Sequence, residues 1–265
     1  TSQFVHRDCL REAASQRLGV AMAAAESLPK DLSDPAFVGD FSRPMSQADL
    51  QGVLWGVKDC LVLELPQRMN GGATTPWEEV LAICNSAHGG GAKCHMDGSR
   101  LWEVQPFYGC ALAELAAPFD SVQVSFDEGL GAIAGAALAG SVSFAVEAKA
   151  WRSRLGGASK TLAPAWLHCR EQLRQELPGL ERRYTRLQEL VSALSAETVL
   201  SSCLRFDPPM PQASFIHVYL RGDAAALEAA QERAAARTGF RLWRDFLGPG
   251  YSRRGEVYFE WSLGS

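Results

Sequence analysis

The run Lys58-Asp59-Cys60-Leu61-Val62-Leu63-Glu64-Leu65 is apolar over most of its length and closes on turn residues. So short and apolar a run predicts a strand buried on both faces, as in a parallel sheet. Thr75-Pro76-Trp77-Glu78 then opens a helix, with threonine as cap and proline at the first helical position. That helix stops in Gly89-Gly90-Gly91, and Ala92 to Met96 reads as the next strand. Strand, helix, strand is the grammar of an α/β sheet whose loops gather at the carboxyl edge.

The same reading extends along the chain. Asp8 to Leu18 is expected as a short helix and 27–45 as loop, and Ser46-Gln47-Ala48-Asp49 has the pattern of a capping box. Ser121 to Phe126 and the Gly/Ala-rich Ile133 to Gly140 are expected as strands, with helices at 142–154, 160–176 and 179–195. The last carries Leu180, Tyr184, Leu187 and Val191 on one face, and Arg182, Arg183 and Arg186 on a solvated one. After residue 197 the pattern changes. A proline-rich break (Pro208, Pro209, Pro211) precedes the strand Phe215 to Leu220, then a helix from Asp223 to about Arg237 stopped by Gly239. Strands near 240–246 and 256–262 complete a small α+β unit. The expected division is residues 1–197 and 198–265.

Net charge is −4 over 265 residues, from 26 Lys and Arg against 30 Asp and Glu, which gives no electrostatic reason to expect nucleic acid. No stretch is long and apolar enough for a membrane span, and the first residues lack a signal-peptide layout, so a cytoplasmic protein is expected. Seven scattered cysteines form no Cys-x-x-Cys pair. Cys84 and His88 stand four apart on the expected helix, but the sequence offers no second donor pair, so no metal is expected.

His95-Met96-Asp97-Gly98-Ser99-Arg100, at the end of a strand, closely resembles the His-x-Asp-Gly-Ala-Arg signature of threonine aldolases, within the β-eliminating lyase group of pyridoxal phosphate enzymes. Further stretches are similar in order and spacing: Glu64-Leu65-Pro66-Gln67-Arg68 with Gly71-Gly72, Phe119-Asp120-Ser121-Val122, and Gly129-Leu130-Gly131-Ala132 with Ile133-Ala134-Gly135-Ala136. Trp151-Arg152 through Gly156-Gly157, and the closing Glu260-Trp261-Ser262-Leu263-Gly264, also resemble the family. The resemblance implies an α/β major domain of the pyridoxal phosphate transferase type (fold type I), N-terminally short, plus a small α+β C-terminal domain. It implies retro-aldol cleavage of β-hydroxy-α-amino acids to glycine and an aldehyde, a small amino-acid ligand, and a homodimer or homotetramer. Asp97 would face the cofactor's ring nitrogen, Arg100 would hold the substrate carboxylate, and Ser125 and His6 stand near the cofactor.

The chain departs from the pattern at one decisive position. The family places a lysine immediately before Gly-Leu-Gly, to bind the cofactor covalently; here Glu128 stands there. A carboxylate forms no imine with an aldehyde. The chain has five lysines, Lys30, Lys58, Lys93, Lys149 and Lys160, and none is expected at the strand end beside Asp97. The family's phosphate-binding turn is also missing, and the chain is expected to start partway through the large domain. The last strand has no arginine in register, Arg253 and Arg254 falling in the turn before it. Two functions of different class follow: a threonine aldolase-like lyase, or a catalytically inactive homologue acting as a ligand-binding, oligomer-partner or regulatory protein.

Overall fold

The computed structural model describes residues 43–50, 55–57, 59–158, 162–246 and 255–263. The expected helix at Asp8 to Leu18, His6, Lys30, Lys58, Lys160, Arg253 and Arg254 lie outside them.

β1 (Cys60–Glu64), β2 (Lys93–Gly98) and β3 (Ser121–Ser125) run parallel, and β4 (Ala136–Gly140) pairs antiparallel with β3 at the edge of the sheet. α1 (Trp77–Gly89) connects β1 to β2, and α2 (Leu101–Tyr108) with the short α3 (Leu112–Ala116) connects β2 to β3. Leu61 and Leu63 of β1, Cys94 and Met96 of β2 and Val122 of β3 pack with Val80, Ile83 and Ala87 of α1 and with Leu101 and Val104 of α2. Each fully buried aliphatic side chain of this kind contributes about 2 kcal/mol of transfer free energy.

Two expectations for this region are corrected. β1 is not buried on both faces: Cys60 and Val62 are exposed, alternating with buried Leu61 and Leu63. Among the described residues no element covers that side. Thr75 does not cap α1; its hydroxyl donates to the Met45 carbonyl at 2.8 Å, and Pro76 takes the cap position. The box at Ser46 is half formed, with Asp49 accepting the Ser46 N–H at 2.8 Å within a 3-10 turn over Gln47–Leu50.

Three helices follow at the expected places: α4 (Val142–Arg154), α5 (Ala163–Glu176) and α6 (Leu180–Ala196). α6 belongs to two cores at once. Its Leu180 packs with Trp102, Phe126, Leu130 and Cys169, whereas Leu187 and Val191 pack against Phe206, Ile216, Val218 and Phe259 of the C-terminal sheet. Arg183, expected on the solvated face, is buried, and Tyr184 is half-exposed. Position 183 is three residues from Leu180 and four from Leu187, hence on their stripe. Burial of its charge is compensated by Glu176, whose carboxylate and carbonyl accept from the guanidinium at 2.9 and 3.0 Å.

The C-terminal sheet is antiparallel, ordered β5 (Leu204–Asp207), β6 (Phe215–Arg221), β7 (Glu256–Ser262), with α7 (Ala224–Thr238) between β6 and β7. Asp223 caps α7 by accepting the Ala226 N–H at 3.1 Å, and Gly239 ends it in the left-handed region. The expected strand at 240–246 does not form; β5 supplies the third strand. The N–H groups of Leu242 and Trp243 instead both donate to Gln231 Oε1 at 2.9 Å, while the rings of Trp243 and Phe246 cover Phe259. A side-chain amide thus satisfies the backbone donors a strand partner would have taken.

Candidate functional site

Glu64, Asp97 and Gln123 stand abreast on β1, β2 and β3, because the parallel register pairs Glu64 with Asp97 and Asp97 with Gln123. They mark the carboxyl edge of the sheet, where α/β folds bind ligands. Asp97 turns the chain into α2: its Oδ1 accepts the Ser99 N–H at 3.1 Å and the Ser99 hydroxyl at 2.6 Å. Ser99 Oγ also lies 3.0 Å from Gln123 Oε1, and Gln123 Nε2 lies 3.5 Å from Ser125 Oγ. A polar chain therefore links Asp97 to Ser125 across two strands.

Arg100 begins α2 and is mostly buried. Its Nη1 donates to Glu103 Oε2 at 3.3 Å and its Nη2 to Glu260 Oε1 at 3.1 Å, while Glu128 Oε2 stands 3.7 Å from its Nε. That last separation is a charge contact too long for a hydrogen bond, and Nε has no hydrogen-bond partner. The guanidinium also lies over the Phe215 ring, 4.3 Å from its centroid. Burial alone would lower the Arg100 pKa, but Glu103, Glu260 and Glu128 outweigh it and hold the group above its ordinary value.

Glu103 is almost wholly buried, one turn into α2, and its second oxygen accepts the Ser214 hydroxyl at 3.1 Å. Burial pushes its pKa up against the pull of Arg100 and Ser214. The loop carrying Glu128 rests directly on it. Gly129, at φ +73°, passes so close that a Cβ there would stand 2.8 Å from Glu103 Cγ. Glu260, on β7, also accepts from Arg68 Nε at 3.1 Å and stands 3.9 Å from His217 Nε2. His217 is buried on β6 beside Tyr258, and burial pulls its pKa down to about 4. Burial likewise pushes Glu64 up, the Arg68 N–H opposing, with Asp97 and Glu128 adding to the rise.

The structure thus gathers Asp97, Arg100, Ser125 and Glu128 at one edge; His6 lies outside the described residues. The sequence reading overlooked Glu103, Glu260, His217 and Ser99. Glu103 had a local signal, three residues after Arg100 on one helix face. Ser99 had one in the turn-forming Asp-x-Ser spacing. His217 had none, and Glu260 stood in a family-like stretch that gave no sign of its partners, since their approach is made by tertiary folding.

The residues present fit part of a pyridoxal phosphate site. Asp97 is a suitable partner for a protonated ring nitrogen, held in place by Ser99. Covalent attachment does not fit among the described residues. Of the described lysines, Lys93 sits at the opposite edge of the sheet, its Nζ 2.7 Å from Asp120 Oδ1, and Lys149 is exposed on α4. The surroundings of Arg100 also oppose a second carboxylate: Glu103, Glu128 and Glu260 already face it, with Glu64 and Asp97 close by.

A family model described as beta-eliminating lyase matches residues 47–199. A crystal structure of a putative L-allo-threonine aldolase from Listeria monocytogenes EGD-E is similar over 98% of this chain and 67% of that one, at 28% identity and a TM-score of 0.79. A putative aromatic amino acid beta-eliminating lyase/threonine aldolase from Exiguobacterium sp. 255-15 is similar over 86% of this chain and 62% of that one, at 30% identity and a TM-score of 0.78. The low-specificity L-threonine aldolase 1 of Arabidopsis thaliana is 30% identical over 135 residues, 51% of this chain and 38% of that protein. The chain therefore spans about two fifths of the length of that curated relative.

Proposed function

The chain belongs to the beta-eliminating lyase family, and on that premise we propose that it is a threonine aldolase-like protein that does not carry out the family's lysine-dependent cleavage of β-hydroxy-α-amino acids. Pyridoxal phosphate, where family members bind it, supplies an electron sink for bond cleavage next to the amino-acid α-carbon. In this chain Asp97 is the residue that would hold the ring nitrogen. Arg100 is the residue that would hold a substrate carboxylate, and Glu128 faces it instead.

One observation carries the reading: the side chain at the family's lysine position is a carboxylate ion-paired with the residue expected to bind substrate. Two roles of the site are thereby turned inward together. The exposed apolar side chains Val142, Phe144 and Val146 on α4, with Ile133 before β4 and Leu138 within it, support a role in assembly with further protein surface.

The test is reduction with borohydride after incubation with pyridoxal phosphate, followed by mass spectrometry of the digest, alongside glycine release from L-threonine and L-allo-threonine. No lysine adduct and no glycine are expected. A phosphopyridoxyl-lysine peptide accompanied by glycine release overturns the reading and restores the lyase.

A further inference from the structure

At the opposite edge of the sheet, donors from the C-terminal end of α1, the start of β2 and the residue preceding β3 converge. His88, Cys94 and Asp120 present ligand atoms that all lie within 4.8 Å of one another. Cys84, one turn before His88 on α1, lies behind them, its carbonyl oxygen 3.8 Å from Cys94 Sγ. The spacing of Cys84 and His88 was visible in the sequence, but the second pair was not. Folding brings Cys94 to it from β2 and Asp120 from the residue preceding β3.

We propose that His88, Cys94 and Asp120 form a binding site for a borderline-soft divalent cation, zinc above all.

The donor chemistry selects the metal. One thiolate, one imidazole and one carboxylate suit Zn²⁺, and they exclude Mg²⁺ and Ca²⁺, which want oxygen ligands throughout. The spacing of the nitrogen and oxygen donors is close to what zinc requires. Two ligand atoms at about 2.0–2.1 Å from a tetrahedral zinc stand roughly 3.3 Å apart. His88 Nε2 and Asp120 Oδ2 are 2.9 Å apart, so they need open by only about 0.4 Å. Both side chains are partly exposed, 39% and 30%, which gives the ion a way in and leaves the fourth position to water.

Protons balance at the site. The ion takes the neutral His88 ring at Nε2, with hydrogen left on Nδ1, and the Cys94 thiol releases its proton to solvent on binding. On ionising, Cys94 gives up the weak bond it donates to the Cys84 carbonyl. Asp120 Oδ1 stays with Lys93 Nζ at 2.7 Å, an outer contact that fixes the carboxylate while Oδ2 turns to the ion. The repulsion from Lys93 is reduced by solvent, because its side chain is 68% exposed.

The experiment uses the full chain, reduced, stripped with chelator and free of any affinity tag, titrated with Co²⁺ and then Zn²⁺. One cobalt per chain is expected, with a thiolate-to-cobalt charge-transfer band and the intense visible bands of a tetrahedral site, both removed by one equivalent of zinc. Saturating zinc should raise Tm by roughly 5 °C. His88→Ala and Asp120→Asn should each weaken binding at least about tenfold and abolish that rise. Tm in chelator should be unchanged by His88→Ala, a substitution at a partly exposed position, which separates loss of a ligand from loss of the fold. Absence of a saturable one-to-one cobalt spectrum overturns the proposal. So does a spectrum that both variants retain, which would place the ion on other cysteines.

Discussion

Glu128 stands with its Oε2 3.7 Å from Arg100 Nε, so an anion faces the side chain proposed to hold a substrate carboxylate. An anion at position 128 completes a set of three carboxylates around Arg100, with Glu103 and Glu260. A substrate carboxylate arriving there would meet like charge on three sides, at interaction energies of several kcal/mol at the effective dielectric of a partly buried site.

Glu128→Lys is the direct probe of this arrangement. Position 128 is 39% exposed, and Glu103 and Glu260 remain beside Arg100, so the change should cost no more than about 1 kcal/mol. With pyridoxal phosphate and borohydride it should yield an adduct at position 128, read by peptide mass. Glu128→Gln should yield none. An Arg100 pocket that stays closed would show as a folded Glu128→Lys protein with no adduct.

Glu103 should be the most stability-sensitive member of the network. Glu103→Ala removes one partner of a buried ion pair and strands the Ser214 hydroxyl. A loss of about 3 kcal/mol is expected in urea unfolding, toward the lower end for such pairs because Glu260 and Glu128 still face Arg100. Replacing Arg100 and Glu103 together by leucine should recover part of that loss, as a double-mutant cycle would report.

Gly71 and Gly109 separate backbone strain from collision. Both have positive φ, +62° and +64°, but a Cβ on Gly71 would stand 1.9 Å from the Asp207 carbonyl oxygen, whereas one on Gly109 would meet nothing within 4 Å. Gly109→Ala should cost about 1 kcal/mol, the price of the left-handed conformation. Gly71→Ala should cost at least about 3 kcal/mol, because the turn and β5 must move apart. Equal losses in the two variants would mean that the contact between Gly71 and Asp207 yields easily.

His217 should give stability a pH dependence of definite sign. Burial, with Arg68 and Arg100 nearby, holds its pKa at about 4, below the ordinary 6.5, against the opposing pull of Glu260; Tyr219 and Tyr258 are its ring neighbours. The unfolded chain then binds the proton first as pH falls. The His217 contribution is full above pH 6.5 and is lost between 6.5 and about 4, by about 3 kcal/mol in all. Comparing the chain with His217→Gln across that window isolates the effect, because buried Glu64 and Glu103 titrate with the opposite sign in both proteins. A slope that survives the substitution unchanged would assign the pH dependence elsewhere.

Much of this was legible in the sequence, and the reasons are local. The β1–α1–β2 order followed from an apolar run, a Pro-initiated helix and a glycine stop, and α7 was bounded by a capping aspartate and a terminal glycine. Readings failed where tertiary contacts overrode local grammar. Arg183 is buried because Glu176 waits one helix away. The 240–246 segment has the composition of a strand, but Gln231 satisfies its N–H groups first. At the site, Asp97, Arg100 and Glu128 carried a recognisable signature. Glu260 stood in a family-like stretch, but nothing near residue 260 announces a partner 160 positions earlier.

That distance also sets an order of assembly. During synthesis Arg100 emerges with Glu103 and Glu128 within reach, but Glu260 emerges only after another 132 residues have been added beyond Glu128. A nascent chain with its parallel sheet already formed therefore presents the Arg100 guanidinium at an open sheet edge, without β7 to cover it. Closure of this corner waits on the synthesis of β7, and until then a small anion has open access to the guanidinium.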